Sequence, residues 1–266
     1  MTATAPVALV TGASSGIGRA TALALVGSGF TVVGTSRHAG DLKPFFGVTF
    51  LDLDVSSDDS VRSVVGDVIE QFGQIDLLVN SAGVAAIDGE HGSIDQAREI
   101  FDVNVFGVMR MTDAVLPHMR AQGSGRVVTV TSALNRSSGP SVAVPAATLQ
   151  AVAGYSESLD HEVRQDGVRM VLVDPGTAST SSLAPGSPLS TYAAQRRISR
   201  EVLATVLHTA EAPDVVANVI VTASTDPEPK FRYTAGAMAS RVSMLRRIVP
   251  SLAFDVQPLR RGSLTA

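Results

Sequence analysis

Thr11-Gly12-Ala13-Ser14-Ser15-Gly16-Ile17-Gly18 places three glycines at a spacing that can hold a pyrophosphate. Gly12 permits a tight turn, Gly16 lets the backbone approach phosphate oxygens, and Gly18 allows a helix to pack closely on a strand. The segment follows the apolar run Val7-Val10 and opens an amphipathic stretch, so a helix N-terminus faces the anion. Ser14, Ser15 and Ile17 complete the cradle. A second chemical signal is Arg37, which follows Thr35-Ser36 at the end of the next apolar run. A site for NAD puts a carboxylate there to meet the ribose 2′-hydroxyl, whereas a guanidinium suits the 2′-phosphate of NADP. NADP(H) is therefore the expected cofactor.

These residues need a scaffold, and the chain shows which one. Short Val-rich runs alternate with longer amphipathic segments, the pattern of βα units feeding a parallel sheet. Strands are predicted at Val7-Val10, Thr31-Ser36, Val48-Asp52, Leu77-Asn80, Arg126-Thr131, Arg169-Asp174 and Phe231-Thr234. Helices are predicted at Gly16-Ser28, Asp58-Phe72, Ile94-Arg120, Pro145-Gln165 and Asp214-Ala223. The 266 residues, 45% hydrophobic and without a dividing linker, suit one α/β domain spanning residues 1–266. The Ser/Pro/Gly-rich stretch Thr177-Ser190 reads as a long loop inside that domain, part of a substrate lid at about residues 177–200.

Further segments carry a resemblance. Leu53-Asp54-Val55, Asn80-Ser81-Ala82-Gly83, Asn104-Val105-Phe106-Gly107, Thr131-Ser132 and Pro175-Gly176 with Thr180 occur in that order along the chain. Together with the glycine turn they resemble the short-chain dehydrogenase/reductase family over nearly the whole length. The resemblance implies a Rossmann-like, doubly wound parallel sheet. It also implies adenine contacts from Asp54 and Val55, a turn of Asn80, Ala82 and Gly83 beside the cofactor, and a nicotinamide and diphosphate loop of Pro175, Gly176 and Thr180. Ser132 and Asn104 match the family's catalytic serine and asparagine. A homodimer or homotetramer, joined through the helices around Ile94-Arg120 and Pro145-Gln165, is the assembly expected from the family.

One part of the family pattern is missing. The family usually carries a Tyr about thirteen residues beyond the serine and a Lys four further on; here those positions hold Pro145 and Leu149. Downstream, Gly154-Tyr155-Ser156-Glu157-Ser158-Leu159 resembles the later part of the same helix without a gap, which fixes the register. The tyrosines are Tyr155, Tyr192 and Tyr233 and the lysines Lys43 and Lys230, so no Tyr-x-x-x-Lys stands elsewhere. At i and i+4 such a pair shares a helix face; the lysine lowers the phenol's pKa and the phenol protonates the developing alkoxide. Proline and leucine do neither. Losing a positioned general acid costs about 10²–10⁴ in rate, so hydride chemistry is slowed without being abolished. Proline in a first helical turn removes an N–H that has no partner anyway, so the fold tolerates it.

Other ionisable groups read as structural. Tyr155 lies ten positions beyond Pro145, roughly 15 Å along a helix, too far to replace it. His91 falls in a polar loop, His118, His161 and His208 on amphipathic segments, and Tyr192 with Arg196 in the lid; none has metal-ligand spacing. A formal charge of -4 and a pI near 5.7 exclude the basic footprint that nucleic acid requires. No cysteine is present, which removes disulfides, thiolate metal sites and thiol nucleophiles. Met1-Pro6 has neither the basic start nor the apolar run of a signal peptide, and no segment reaches the roughly 20 apolar residues of a membrane span. A cytoplasmic protein acting on a small molecule is expected.

Three functions fit: an NADPH-dependent reductase or dehydrogenase with an altered proton route, a non-redox cyclase, isomerase or dehydratase on the same scaffold, and a catalytically dead NADP(H)-binding protein. Intact cofactor features favour the first.

Overall fold

Val7–Val10 forms β1, and all four side chains are buried, as the middle of a parallel sheet demands. Alternation splits them between two cores. Val7 and Leu9 point into one, with Val61, Val64 and Val68 of α2 (Asp58–Phe72) and Met111, Val115 and Met119 of α4 (Gly107–Gln122). Ala8 and Val10 point into the other, with Ile17, Ala22 and Leu25 of α1 (Gly16–Gly27) and Val216 and Ile220 of α6 (Pro213–Thr225).

The computed structural model describes residues 5–42, 47–87, 93–132, 143–176, 183–185 and 211–236. The remaining strands of the main sheet are β2 (Thr31–Ser36), β3 (Val48–Asp52), β4 (Leu77–Asn80), β6 (Gly125–Val130), β7 (Val168–Pro175) and β9 (Arg232–Ala235). All seven run parallel in the order β3-β2-β1-β4-β6-β7-β9. The order reverses between β1 and β4, and their carboxyl ends open the crevice where ligands of doubly wound sheets sit. The expected strands and helices match these to within a few residues at their ends.

Two expectations fail. The predicted helix Ile94-Arg120 divides into α3 (Ile94–Phe101), a π-helical turn Asp102–Phe106, and α4. Apolar periodicity does not register one widened turn, and the tether that accompanies it, between Asn104 and Val84, is seen only in three dimensions. The stretch Thr177-Ser190 is not loop throughout: Leu183–Pro185 forms β8, paired in parallel with β5 (Ala85–Ile87). Three-residue strands carry no readable alternation, which is why both escape the sequence pattern.

The last helix of the site side, α5, runs unbroken from Ala143 to Val163. Its middle residues Ala151 and Val152 pack on Val105, Val108 and Phe101, around the π-helical turn.

Candidate active site

Between β1 and α1 the glycine turn takes the shape its spacing predicts. Gly12 has φ +67°, and a Cβ there would lie 2.9 Å from the Ala82 Cα, so the turn presses directly on the β4 end. Thr11 locks the two together: its Oγ1 accepts hydrogen bonds from the Ser81 and Ala82 N–H groups, both at 3.0 Å. A Cβ on Gly18 would lie 2.2 Å from the Gly12 carbonyl oxygen, so helix and turn touch backbone to backbone. Gly16 differs. Its φ is +53°, and a Cβ there would meet nothing within 4 Å, so its face opens outward. The Ser15 side chain does not cap α1, and no acidic residue occupies the first turn, whereas α2 and α3 have capping serines and begin with Asp58, Asp59 and Asp95. α1 alone of these three therefore presents an N-terminus suited to an outside anion. Ser14 is half-buried and Ile17 buried beneath the turn.

At the adenine end, exposed Arg37 follows β2 and Asp54 follows β3. Hydrogen bonds from the Ser56 hydroxyl (2.6 Å) and N–H (2.9 Å) hold the Asp54 carboxyl below the usual carboxylate range, and the nearby charges of Arg37 and Arg110 add to this. Val55 is buried and seats Gly107, whose Cβ would come within 2.8 Å of the Val55 Cγ2. Arg110 fastens the same region, pairing with Asp58 (2.6 Å) and Asp102 (2.8 Å) and donating to the Val55 carbonyl.

Beyond β4, Asn80 is buried and donates to the Thr129 hydroxyl at 3.4 Å, a cross-strand bond to β6. Ala82 and Gly83 continue toward Asn104, whose side-chain amide pairs with the Val84 backbone in both directions at 2.8 Å. That leaves Asn104 one lone pair and one N–H for anything else.

Ser132, half-buried, follows β6. The preceding Thr131 donates its N–H to the Val173 carbonyl (2.9 Å) and its hydroxyl to the Asp174 carboxylate. Pro175 and Gly176 follow Asp174 and are buried, the Gly176 N–H donating to the Ala235 carbonyl at 3.1 Å. Pro145 and Leu149 are half-buried in the first two turns of α5, with Thr148 donating to the Pro145 carbonyl at 2.7 Å. Tyr155 points elsewhere: its hydroxyl donates to Asp113 of α4 at 3.3 Å, and burial, then the Asp113 charge, pushes its phenol up. It offers no acid to the crevice.

The structure thus gathers the glycine turn, the β4 end, the turn of Asn104, Ser132 and Pro175-Gly176 along the carboxyl edge of one sheet. Thr180, His91, His208, Tyr192 and Arg196 lie outside the described residues. Sequence reading assigns no role to Thr11, Arg110 or Asp174, although Thr11 opens the glycine motif and Asp174 stands directly before Pro175-Gly176. Among the described residues no group of acidic or histidine side chains could hold a metal, and no helix is long and apolar enough to cross a membrane.

The short chain dehydrogenase family model matches residues 6–188. An uncharacterized oxidoreductase of Bacillus subtilis is 31% identical over 94% of this chain and 95% of its own. The 3-ketodihydrosphingosine reductase of Bacteroides thetaiotaomicron is 37% identical over 65% of this chain and 64% of its own. A short-chain dehydrogenase from Streptomyces avermitilis superposes with a TM-score of 0.83 at 31% identity, covering 93% of each chain. A metagenomic short-chain oxidoreductase in complex with NADP superposes at 0.70 with 25% identity, covering 86% of this chain and 96% of that one. The matched span runs from β1 through the Pro175-Gly176 turn, and with the fold and the ordered motifs it establishes that this chain belongs to the short-chain dehydrogenase/reductase family.

Proposed function

We propose that the chain is an NADPH-dependent reductase or dehydrogenase acting on a carbonyl or hydroxyl of a small organic substrate, without the usual Tyr/Lys acid. The observation that carries this is the uncapped, acid-free N-terminus of α1 beside Gly16, whose open face a Cβ would fill. That cradle fits a pyrophosphate. Gly12, Ser14, Ser15, Gly16, Ile17 and Gly18 would hold the diphosphate, and Arg37 the 2′-phosphate. Asp54 and Val55 would flank the adenine, while Asn80, Ala82, Gly83, Pro175, Gly176 and Thr180 would line the nicotinamide half. When bound, NADPH supplies a hydride. Ser132 orients the substrate oxygen and stabilises charge developing there. Pro145 and Leu149 give neither proton nor cation, so the proton comes through water near Asn104 or from an acidic group on the substrate, such as a neighbouring phenol.

A second reading has its own support. Both Pro145 and Leu149 are half-buried apolar side chains, which makes the wall they form drier and suits orienting an apolar substrate for cyclisation, isomerisation or dehydration. In either reading the chain works in the cytoplasm as one domain, a homodimer or homotetramer. Phe106, 50% exposed between α3 and α4, is an apolar side chain such an interface would cover.

Calorimetric titration with NADPH and NADH separates the readings. Tighter binding of NADPH is expected, and Arg37→Glu should erase about tenfold to a hundredfold of that preference, the worth of a charge-assisted bond. Hydride loss from NADPH with a carbonyl substrate would then establish the redox reading, and tight binding without turnover of any substrate a binding role. Absence of binding by both nucleotides would reject the redox reading.

A further inference from the structure

We propose that Asp174 is a positioning residue, holding Ser132 and the Pro175-Gly176 turn in one register through Thr131 and Arg232. The carboxylate is 1% exposed, at the penultimate position of β7. On one side it accepts the Thr131 hydroxyl, and on the other Arg232 Nη1 reaches both its oxygens, at 2.8 and 3.1 Å. Three neighbouring strands are thereby joined through one side chain at the edge where the site lies. Ser132 is one peptide from Thr131, and Pro175-Gly176 follow Asp174 directly. A shift of the carboxylate therefore moves both.

Stability alone does not account for this arrangement. A buried ion pair is often no more stabilising than apolar side chains of the same volume, because desolvation offsets the attraction. Apolar neighbours are at hand, since Met170 and Leu172, on the same face of the strand, are fully buried. What a paired carboxylate adds is direction: it accepts from defined donors at defined angles, and an apolar residue does not. Among the described residues, the Thr131 hydroxyl and the Arg232 guanidinium donate to the Asp174 carboxylate, the guanidinium lying 5.9 Å from the Phe231 ring centroid. The link to cofactor binding rests on the proposed NADPH site.

The test uses Thr131→Val, which removes one hydroxyl at constant shape, Asp174→Asn, and Asp174→Asn combined with Arg232→Met. Amide exchange in the cofactor-free protein reads the Thr131 and Gly176 N–H groups, calorimetry reads NADPH affinity, and thermal melting reads stability. Thr131→Val should speed exchange at Gly176, on the neighbouring strand, about tenfold, and Asp174→Asn should speed both amides. NADPH affinity should fall about tenfold in Asp174→Asn. Adding Arg232→Met should restore the melting temperature, by removing the unpaired cation, but not the affinity. Exchange changes confined to the mutated strand, or affinity returning together with stability, would overturn the proposal. Should the parent protein bind no NADPH, the functional reading fails by itself, and Gly176 exchange in Thr131→Val still decides whether the strands are coupled.

Discussion

On the proposed reading, Pro145 and Leu149 leave the crevice without the acid and the cation that the family carries at their positions. α5 is continuous through both, so they lie one turn apart on one helix, both half-buried. Replacing them with Tyr and Lys rebuilds an acid and a cation at the i, i+4 spacing that lets a lysine depress a phenol's pKa. Pro145→Tyr with Leu149→Lys should raise carbonyl-dependent NADPH oxidation by about 10²–10⁴, the worth of a positioned general acid. The check is nucleotide absorbance over a panel of simple ketones. A folded double variant with parent-level rates would show that these positions do not face the reacting carbon. The register behind this prediction is legible in sequence because flanking motifs count it from both sides. By contrast, the two-way bond between Asn104 and Val84, or the reach of Arg232 to Asp174, joins residues 20 and 58 positions apart, and no local pattern encodes such a meeting.

At the scale of elements, the βα turn separates two demands that its glycines meet differently. A methyl group on Gly18 would collide with the Gly12 carbonyl oxygen at 2.2 Å, backbone against backbone, so the turn must move. Gly18→Ala should cost about 1–3 kcal/mol by overpacking and weaken NADPH through the displaced loop. Gly16→Ala meets no protein atom but holds φ at +53°, which costs about 1–2 kcal/mol in a residue with a Cβ. Its methyl projects where phosphate oxygens would approach. Denaturant unfolding should therefore show similar losses for the two variants, while calorimetry shows the greater loss of NADPH affinity per kcal/mol of stability in Gly16→Ala. Equal losses of affinity would mean that the open face is not the phosphate side. The strand that enters this turn, β1, was legible because it is an unbroken apolar run buried on both faces. The split of the long helix at Asp102–Phe106 was not, since it shows only as a single step of five between buried Ile100 and Val105 in an otherwise helical apolar pattern.

For the molecule as a whole, the far end of α5 matters as much as the end that carries Pro145 and Leu149. Asp160, its side chain 2% exposed, takes hydrogen bonds from Arg164, from Arg169 at 3.0 Å and from the Met170 N–H at 2.9 Å, clamping α5 to the start of β7. Burial alone would raise its pKa, but the bonds from Arg169, Arg164 and Met170 outweigh burial and hold the carboxyl below its ordinary value. A carboxyl whose folded pKa lies below its unfolded value, about 3.9, stabilises the fold fully at pH values above the unfolded pKa. That contribution is lost as pH falls through the folded value, where the proton joins the native state too. Asp160→Ala should cost about 1–3 kcal/mol at neutral pH, because the buried Met170 N–H and the Arg169 guanidinium lose their acceptor. Asp160→Asn keeps the shape and removes the titration, so urea unfolding from pH 6 downward separates the clamp's charge from its packing. The parent should lose stability more steeply than Asp160→Asn below about pH 4, with the two curves converging in acid. Parallel curves would mean that the carboxylate charge contributes nothing and that α5 is held to β7 by packing alone; convergence ties the helix bearing Pro145 and Leu149 to an electrostatic anchor at its opposite end.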